Sequence, residues 1–181
     1  DGTNDDEFGK SVSMDNDGTR VVVSSSNKVY IFTRTGTSWA EEQIISGIVS
    51  LVSEVSIDGV GNRIIFGAPG DTGVGVNTGT VYIYLRSGTS WSQEQKIFAR
   101  DGASSDLFGN SVSISNNGLR VIAGANGDDD NGSLSGSAYI FVRSGTTWSQ
   151  EAKIKPSDGA AGDQFSGQGN GVSIDGDGTR V

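Results

Sequence analysis

Val81 opens the run VYIYLRSGTSWSQEQ, and the chain repeats it twice more, as VYIFTRTGTSWAEEQ from Val29 and AYIFVRSGTTWSQEA from Ala138. The Tyr and Trp of each copy are 9 apart: Tyr30 and Trp39, Tyr82 and Trp91, Tyr139 and Trp148. A second block alternates with the first. It reads FGKSVSMDNDGTRV (8–21), VSEVSIDGVGNRI (52–64), FGNSVSISNNGLRV (108–121) and FSGQGNGVSIDGDGTRV (165–181). From its Val to its Arg the spacing is 8 in all four copies. The joints between blocks vary: Trp39 to Val55 is 16, Trp91 to Val112 is 21 and Trp148 to Val172 is 24. Rigid blocks with elastic joints are strands joined by loops.

Each unit predicts four short strands. The first is Ser-Val-Ser-Ile or Met, and a turn rich in Asp, Asn and Gly follows, as positive-φ positions demand. The second is RVVVSS, RIIFGA or RVIAGA, whose unbroken apolar run predicts burial on both faces. The third is VYIF, VYIY or AYIF. A Ser/Thr-Gly-Thr turn leads to the fourth, which begins at the Trp and is the most polar, as an outer edge should be. Composition agrees: 14 Ile and 17 Val stand against 5 Leu. β-Branched side chains suit pleated, half-buried surfaces.

A four-stranded unit recurring every 43 to 60 residues predicts an all-β fold of β-propeller blades. About three and a half blades of four antiparallel strands are expected, over 8–46, 52–98, 108–155 and a partial 165–181. The rivals are a stack of independent hairpin sheets or a β-sandwich, and a sandwich has no reason to repeat its sequence. Three blades and a first strand do not close a ring. The expectation is therefore one propeller region, either a piece of a longer propeller or one of several copies that assemble into a closed one.

What is missing narrows the chemistry. There is no Cys and no His, so thiolate metal sites, disulfides and His-dependent triads are excluded. The net charge of −9 argues against nucleic acid and anionic membranes. No apolar run approaches the ~20 residues of a membrane helix.

These units resemble FG-GAP repeats, the blades of the integrin-α type propeller, in their bacterial and algal form. Phe8-Gly9 and Phe108-Gly109 supply the first half of the motif, and Gly67-Ala68-Pro69-Gly70-Asp71 supplies the second, with Gly124-Ala125-Asn126-Gly127-Asp128 as a near copy. The resemblance covers essentially the whole chain. Blade one lacks the GAP-like loop, blade two has no Phe-Gly, and blade four stops at Val181.

The resemblance implies calcium held by alternate oxygens in the turn after the first strand, since Ca²⁺ takes six to eight hard ligands. Here only Asp15 and Asp17 in blade one, and Asp175 and Asp177 in blade four, are carboxylates, and Val replaces the closing acid. The alternative is that these residues simply form turns. Asp128, Asp129 and Asp130 sit in the long loop between strands two and three, which reads as a solvated loop or as a calcium-stiffened one, with exposed carboxylates. Trp39, Trp91 and Trp148 are expected to pack between blades, and Phe8, Phe108 and Phe165 to plug the space there. Arg34, Arg86 and Arg143 are expected to pair with Glu42, Glu94 and Glu151 across the last hairpin. The acidic, turn-rich segments before each Phe read as blade connections.

The functional expectation is a non-catalytic adhesion or binding module, extracellular or on the cell surface, with a protein or glycan ligand on the face of variable loops 70–80 and 126–137. The alternative is a structural or assembly repeat of a larger secreted or surface protein. A carboxylate-dependent hydrolase ranks third, because the acids fall in turns.

Overall fold

The computed structural model describes residues 6–167 and 171–181. Residues 1–5 of the first acidic connection and 168–170 of the fourth block lie outside the described residues. Blade one comprises β1 (Val12–Met14), β2 (Arg20–Ser24), β3 (Val29–Thr35) and β4 (Ser38–Ile45). Blade two comprises β5 (Val55–Ile57), β6 (Arg63–Ala68), β7 (Thr80–Ser87) and β8 (Ser90–Ile97). Blade three comprises β9 (Val112–Ile114), β10 (Arg120–Ala125), β11 (Ser137–Ser144) and β12 (Thr147–Ile154). Each is a four-stranded antiparallel sheet in chain order, with no helix among the described residues. These are propeller blades, and they do not close into a ring.

The core lies between the blades. Ile64 and Phe66 of β6 pack with Val22, Ile31, Ile57 and Trp91 in a cluster joining blades one and two. Ile65, between them in sequence, joins Val81, Phe108, Val121 and Trp148 on the other side. Alternate side chains of one strand therefore serve opposite neighbours, which is why the second strand reads as an unbroken apolar run.

The inner strands are tied by side chains. The N–H groups of Val55 and Ile57 donate to Ser11 Oγ and Ser13 Oγ of blade one, each at 3.2 Å. Ile114 N–H repeats this on Ser56 Oγ at 3.2 Å, and Val112 N–H donates to Glu54 Oε2 at 2.7 Å. The polar positions of the Ser-Val-Ser strand are thus rungs to the next blade as well as the wet side of an alternation.

The two halves of the sequence motif meet at the blade junction. A Cβ placed on Gly67 would lie 1.7 Å from Gly109 O, so the backbones touch where only Gly fits. Gly109 itself has φ +88°. Phe108 is wholly buried at this junction, as expected of a plug. Phe8 is 58% exposed and packs edge-on against Tyr30 and Phe32 of its own blade, and Phe165 is also partly exposed. Blade two fills the Phe place with Val52. Its N–H donates to Ser26 O as that of Phe108 does to Thr78 O, and Val52 is fully buried.

In the fourth block, residues 171–181 form no strand, where strands were expected. They have no third strand to pair against among the described residues. They keep the turn, with Asp175 N–H on Arg180 O at 3.0 Å, and the rungs, with Val172 N–H on Ser111 Oγ at 3.1 Å.

Candidate functional site

The turn carboxylates are engaged by their own backbone. Asp15 is buried and accepts from Thr19 N–H at 2.8 Å, Arg20 N–H at 2.9 Å and the Thr19 hydroxyl. Asp175 repeats the arrangement with Thr179 and Arg180. Asp17 and Asp177 each accept a further bond from the N–H of the Thr two residues on, and the Thr19 hydroxyl, with that N–H, holds the Asp17 carboxyl below its ordinary value. Blade two has the same cap, which the residue pattern did not single out. Asp58, wholly buried, accepts from Asn62 and Arg63 N–H, while its Oδ2 has no partner, and burial pushes its carboxyl up.

Asp128 and Asp130 lie elsewhere; Asp130 is exposed as expected, but Asp128 is not. Asp128 is buried, because its loop folds back under β11 and β12. The Tyr139 hydroxyl donates to it at 2.9 Å and the Ser137 hydroxyl at 3.0 Å. The Lys153 ammonium stands 2.8 Å from Asp128, from Asp130 and from Asp101, so an internal cation offsets the three carboxylates. Burial would raise the Asp128 carboxyl, but Lys153 and its other donors hold it below its ordinary value. Burial would likewise lower Lys153, and the three carboxylates raise it instead. Blade two carries a shorter version: Tyr82 donates to Asp71 at 2.6 Å, and Lys96 lies over the Tyr82 ring. In blade one the register puts Ile44 opposite Tyr30, where blades two and three have Lys, and the long loop is absent. Among the described residues, no group of three or more His, Cys, Asp or Glu is arranged to hold a metal ion.

The expected pairing of the third-strand Arg residues is overturned. The partners of Glu42, Glu94 and Glu151 within each blade are Arg20, Arg63 and Arg120 on the second strand, at 3.2, 3.1 and 2.9 Å. The hairpin register sets Arg34, Arg86 and Arg143 opposite Trp39, Trp91 and Trp148, and a β-bulge then redirects each Glu. Register shifts between Ile31 and Phe32, between Ile83 and Tyr84 and between Ile140 and Phe141, so each Glu is the extra residue and turns out of the hairpin. Arg143 instead reaches across the blade junction to Glu94 at 3.0 Å, and the Arg86 Nε is buried without a partner.

The bulge also builds a clamp. Glu42 Oε2 accepts the Trp91 indole N–H at 3.0 Å. Gln43 accepts the Trp91 backbone N–H at 2.8 Å and donates to its carbonyl at 2.9 Å. Glu94 and Gln95 hold Trp148 of blade three through the same three bonds, at 3.0, 2.8 and 2.9 Å. Each outer strand thus grips the Trp of the next blade, which confirms the packing expected of Trp91 and Trp148. The Glu-Gln that follows Trp39 and Trp91, as Glu42-Gln43 and Glu94-Gln95, was the signal in the sequence.

One end of the inner strands carries a concavity. Antiparallel pairing puts the start of each first strand beside the end of the second, so the blade connections and long loops share this face. Lys10, Ser53 and Asn110, one from each blade, line a cavity of about 330 Å³ with Leu51, Leu107, Pro69 and Asn126. Asn110 Nδ2 donates to Ser166 O and Gly167 O, which fixes its amide. The Oδ1 atoms of Asn110 and Asn126 are buried and have no hydrogen-bond partner.

Comparison with known proteins agrees with this architecture. The FG-GAP repeat family matches residues 91–141 and 148–181. The crystal structure of the Saccharomyces cerevisiae protein Sqt1, a propeller, superposes with a TM-score of 0.61 at 10% identity. The match covers 87% of this chain and 38% of that one, so the chain spans well under half its length, and the likeness shows the fold alone. No curated protein matches the chain. With Phe-Gly of one blade packed on Gly-Ala-Pro of the blade before it, and with the family match over residues 91–141 and 148–181, the later part of the chain is built from FG-GAP repeats.

Proposed function

We propose that the chain is a non-catalytic binding module of an extracellular or cell-surface protein, and that it takes a peptide segment of a protein ligand at the mouth of its inner strands. The observation that carries this is the cavity where three blades converge, lined by Lys10, Ser53, Asn110 and Asn126 beside apolar Leu51, Pro69 and Leu107. A peptide supplies main-chain hydrogen-bonding groups for the polar side chains of this lining and an apolar side chain for Leu51, Pro69 and Leu107. No aromatic ring lines the cavity, so a sugar would have no stacking surface there. The acids named above are occupied by turn N–H groups or by Lys153, which favours binding over hydrolysis.

The test is a peptide-display screen and a glycan array, run on the wild-type chain and on Asn126→Ala. Peptides that bind the wild type and lose about tenfold in the variant support the reading, as one hydrogen bond of about 1.4 kcal/mol would require. Glycan binding, or peptide binding indifferent to Asn126, overturns it. A calcium requirement is a separate proposal. Asp15, Asp175 and Asp128 already have their donors, so melting with calcium and with excess chelator is expected to give the same midpoint.

A further inference from the structure

The outer face of blade one is the same surface that blades two and three bury. Trp39 is 44% exposed, against 5% for Trp91 and 3% for Trp148. Phe8, Val12 and Met14 are exposed beside it, whereas Phe108, Val112 and Ile114, at the same places in blade three, are buried. Met14, Val21, Phe32 and Trp39 line an open apolar hollow of about 340 Å³. The two blade junctions inside the chain show what covers such a face: a preceding blade whose bulged Glu and following Gln take the indole N–H and the main chain of the Trp.

We propose that this face of blade one is a docking surface for a further FG-GAP blade whose outer strand carries the bulged Glu-Gln pair. Blade three of a second copy does not fit. It offers Glu151 followed by Ala152, so the Trp main chain would lose both bonds from Gln. The Ser rungs of β9 are also taken already, by Val172 and Ile174. The blade that docks here therefore differs from blade three in carrying Gln after its bulged Glu. This inference is independent of any ligand at the mouth of the inner strands.

The experiment extends the full chain. A second copy of residues 52–107 is placed ahead of residue 8, so that a blade with an intact Glu-Gln precedes Phe8 through the connection native to Phe108. Indole N–H exchange is read by NMR, with Trp39 assigned from Trp39→Phe and with Trp91 and Trp148 reporting that the parent blades remain folded. The Trp39 signal is expected to slow at least roughly tenfold in the extended chain, since a clamped N–H exchanges only on opening. The gain is expected to vanish when Glu94→Ala and Gln95→Ala are made in the added copy alone. Trp39 exchanging as before, or slowing equally with the double substitution, overturns the proposal. So does slowing of Trp39 in the unextended chain as its concentration is raised, because a second copy would then be the partner.

Discussion

Glu94 meets Arg63, Arg143 and the Trp148 indole at one carboxylate, with its side chain almost buried. Burial would raise this carboxyl, but those donors hold it below its ordinary 4.5. Its stabilising contribution is thus complete above about pH 4.5 and is lost as pH falls through the lower folded value. Asp58 has the opposite sign: burial raises it above 3.8, so ionising it costs stability as pH rises from there. Glu94→Gln is expected to cost about 3 kcal/mol in urea unfolding, because two cations lose a buried partner. Glu151→Gln, on an exposed pair, is expected to cost under about 1 kcal/mol. Equal losses would show that the junction does not depend on Glu94. Lys153→Met leaves Asp101, Asp128 and Asp130 facing one another and is expected to cost about 3 kcal/mol, with the loss shrinking as pH falls below the carboxylate range. A loss unchanged between pH 7 and pH 4 would contradict the charge argument.

Among the elements, the strands were the legible part and their registers were not. The Val-to-Arg and Tyr-to-Trp spacings place every strand of three blades, because a pleat repeats every two residues and the repeats agree. A bulge leaves no mark in a single copy. Counted from the turn without it, Glu42, Glu94 and Glu151 would lie opposite Ile31, Ile83 and Ile140, while Arg34, Arg86 and Arg143 lie opposite Trp39, Trp91 and Trp148 either way. With it, Glu42 and Glu94 turn to the second-strand Arg and to the next blade's Trp. Val52 was hidden in the same way, since a residue dropped before β5 conceals its match to Phe108. The mouth of the inner strands was not legible at all, because Lys10, Ser53, Asn110 and Asn126 come together only when three blades stack. Close backbone contact makes a prediction at this scale. Gly67→Ala is expected to cost roughly 3 kcal/mol or more, as overpacking against a backbone does, because its Cβ would strike Gly109 O. Gly36→Ala, in an open hairpin turn, is expected to cost about 1 kcal/mol for its positive φ alone. The comparison is made by thermal melting, and equal shifts would contradict the packing account.

In the whole molecule the blades hold one another, since both main clusters straddle junctions. Stability should then behave as a sum over neighbouring pairs, with the first blade least secured because only one of its faces is covered. The central claim is that Trp91 and Trp148 are each gripped by the blade before them. The most direct measurement is the exchange rate of the three indole N–H groups in the chain as it stands. Trp91 and Trp148 should exchange slowly, limited by opening of the junction, and Trp39 should exchange at close to the rate of a free indole. Three similar rates, or a protected Trp39 beside an unprotected Trp91, would contradict the account.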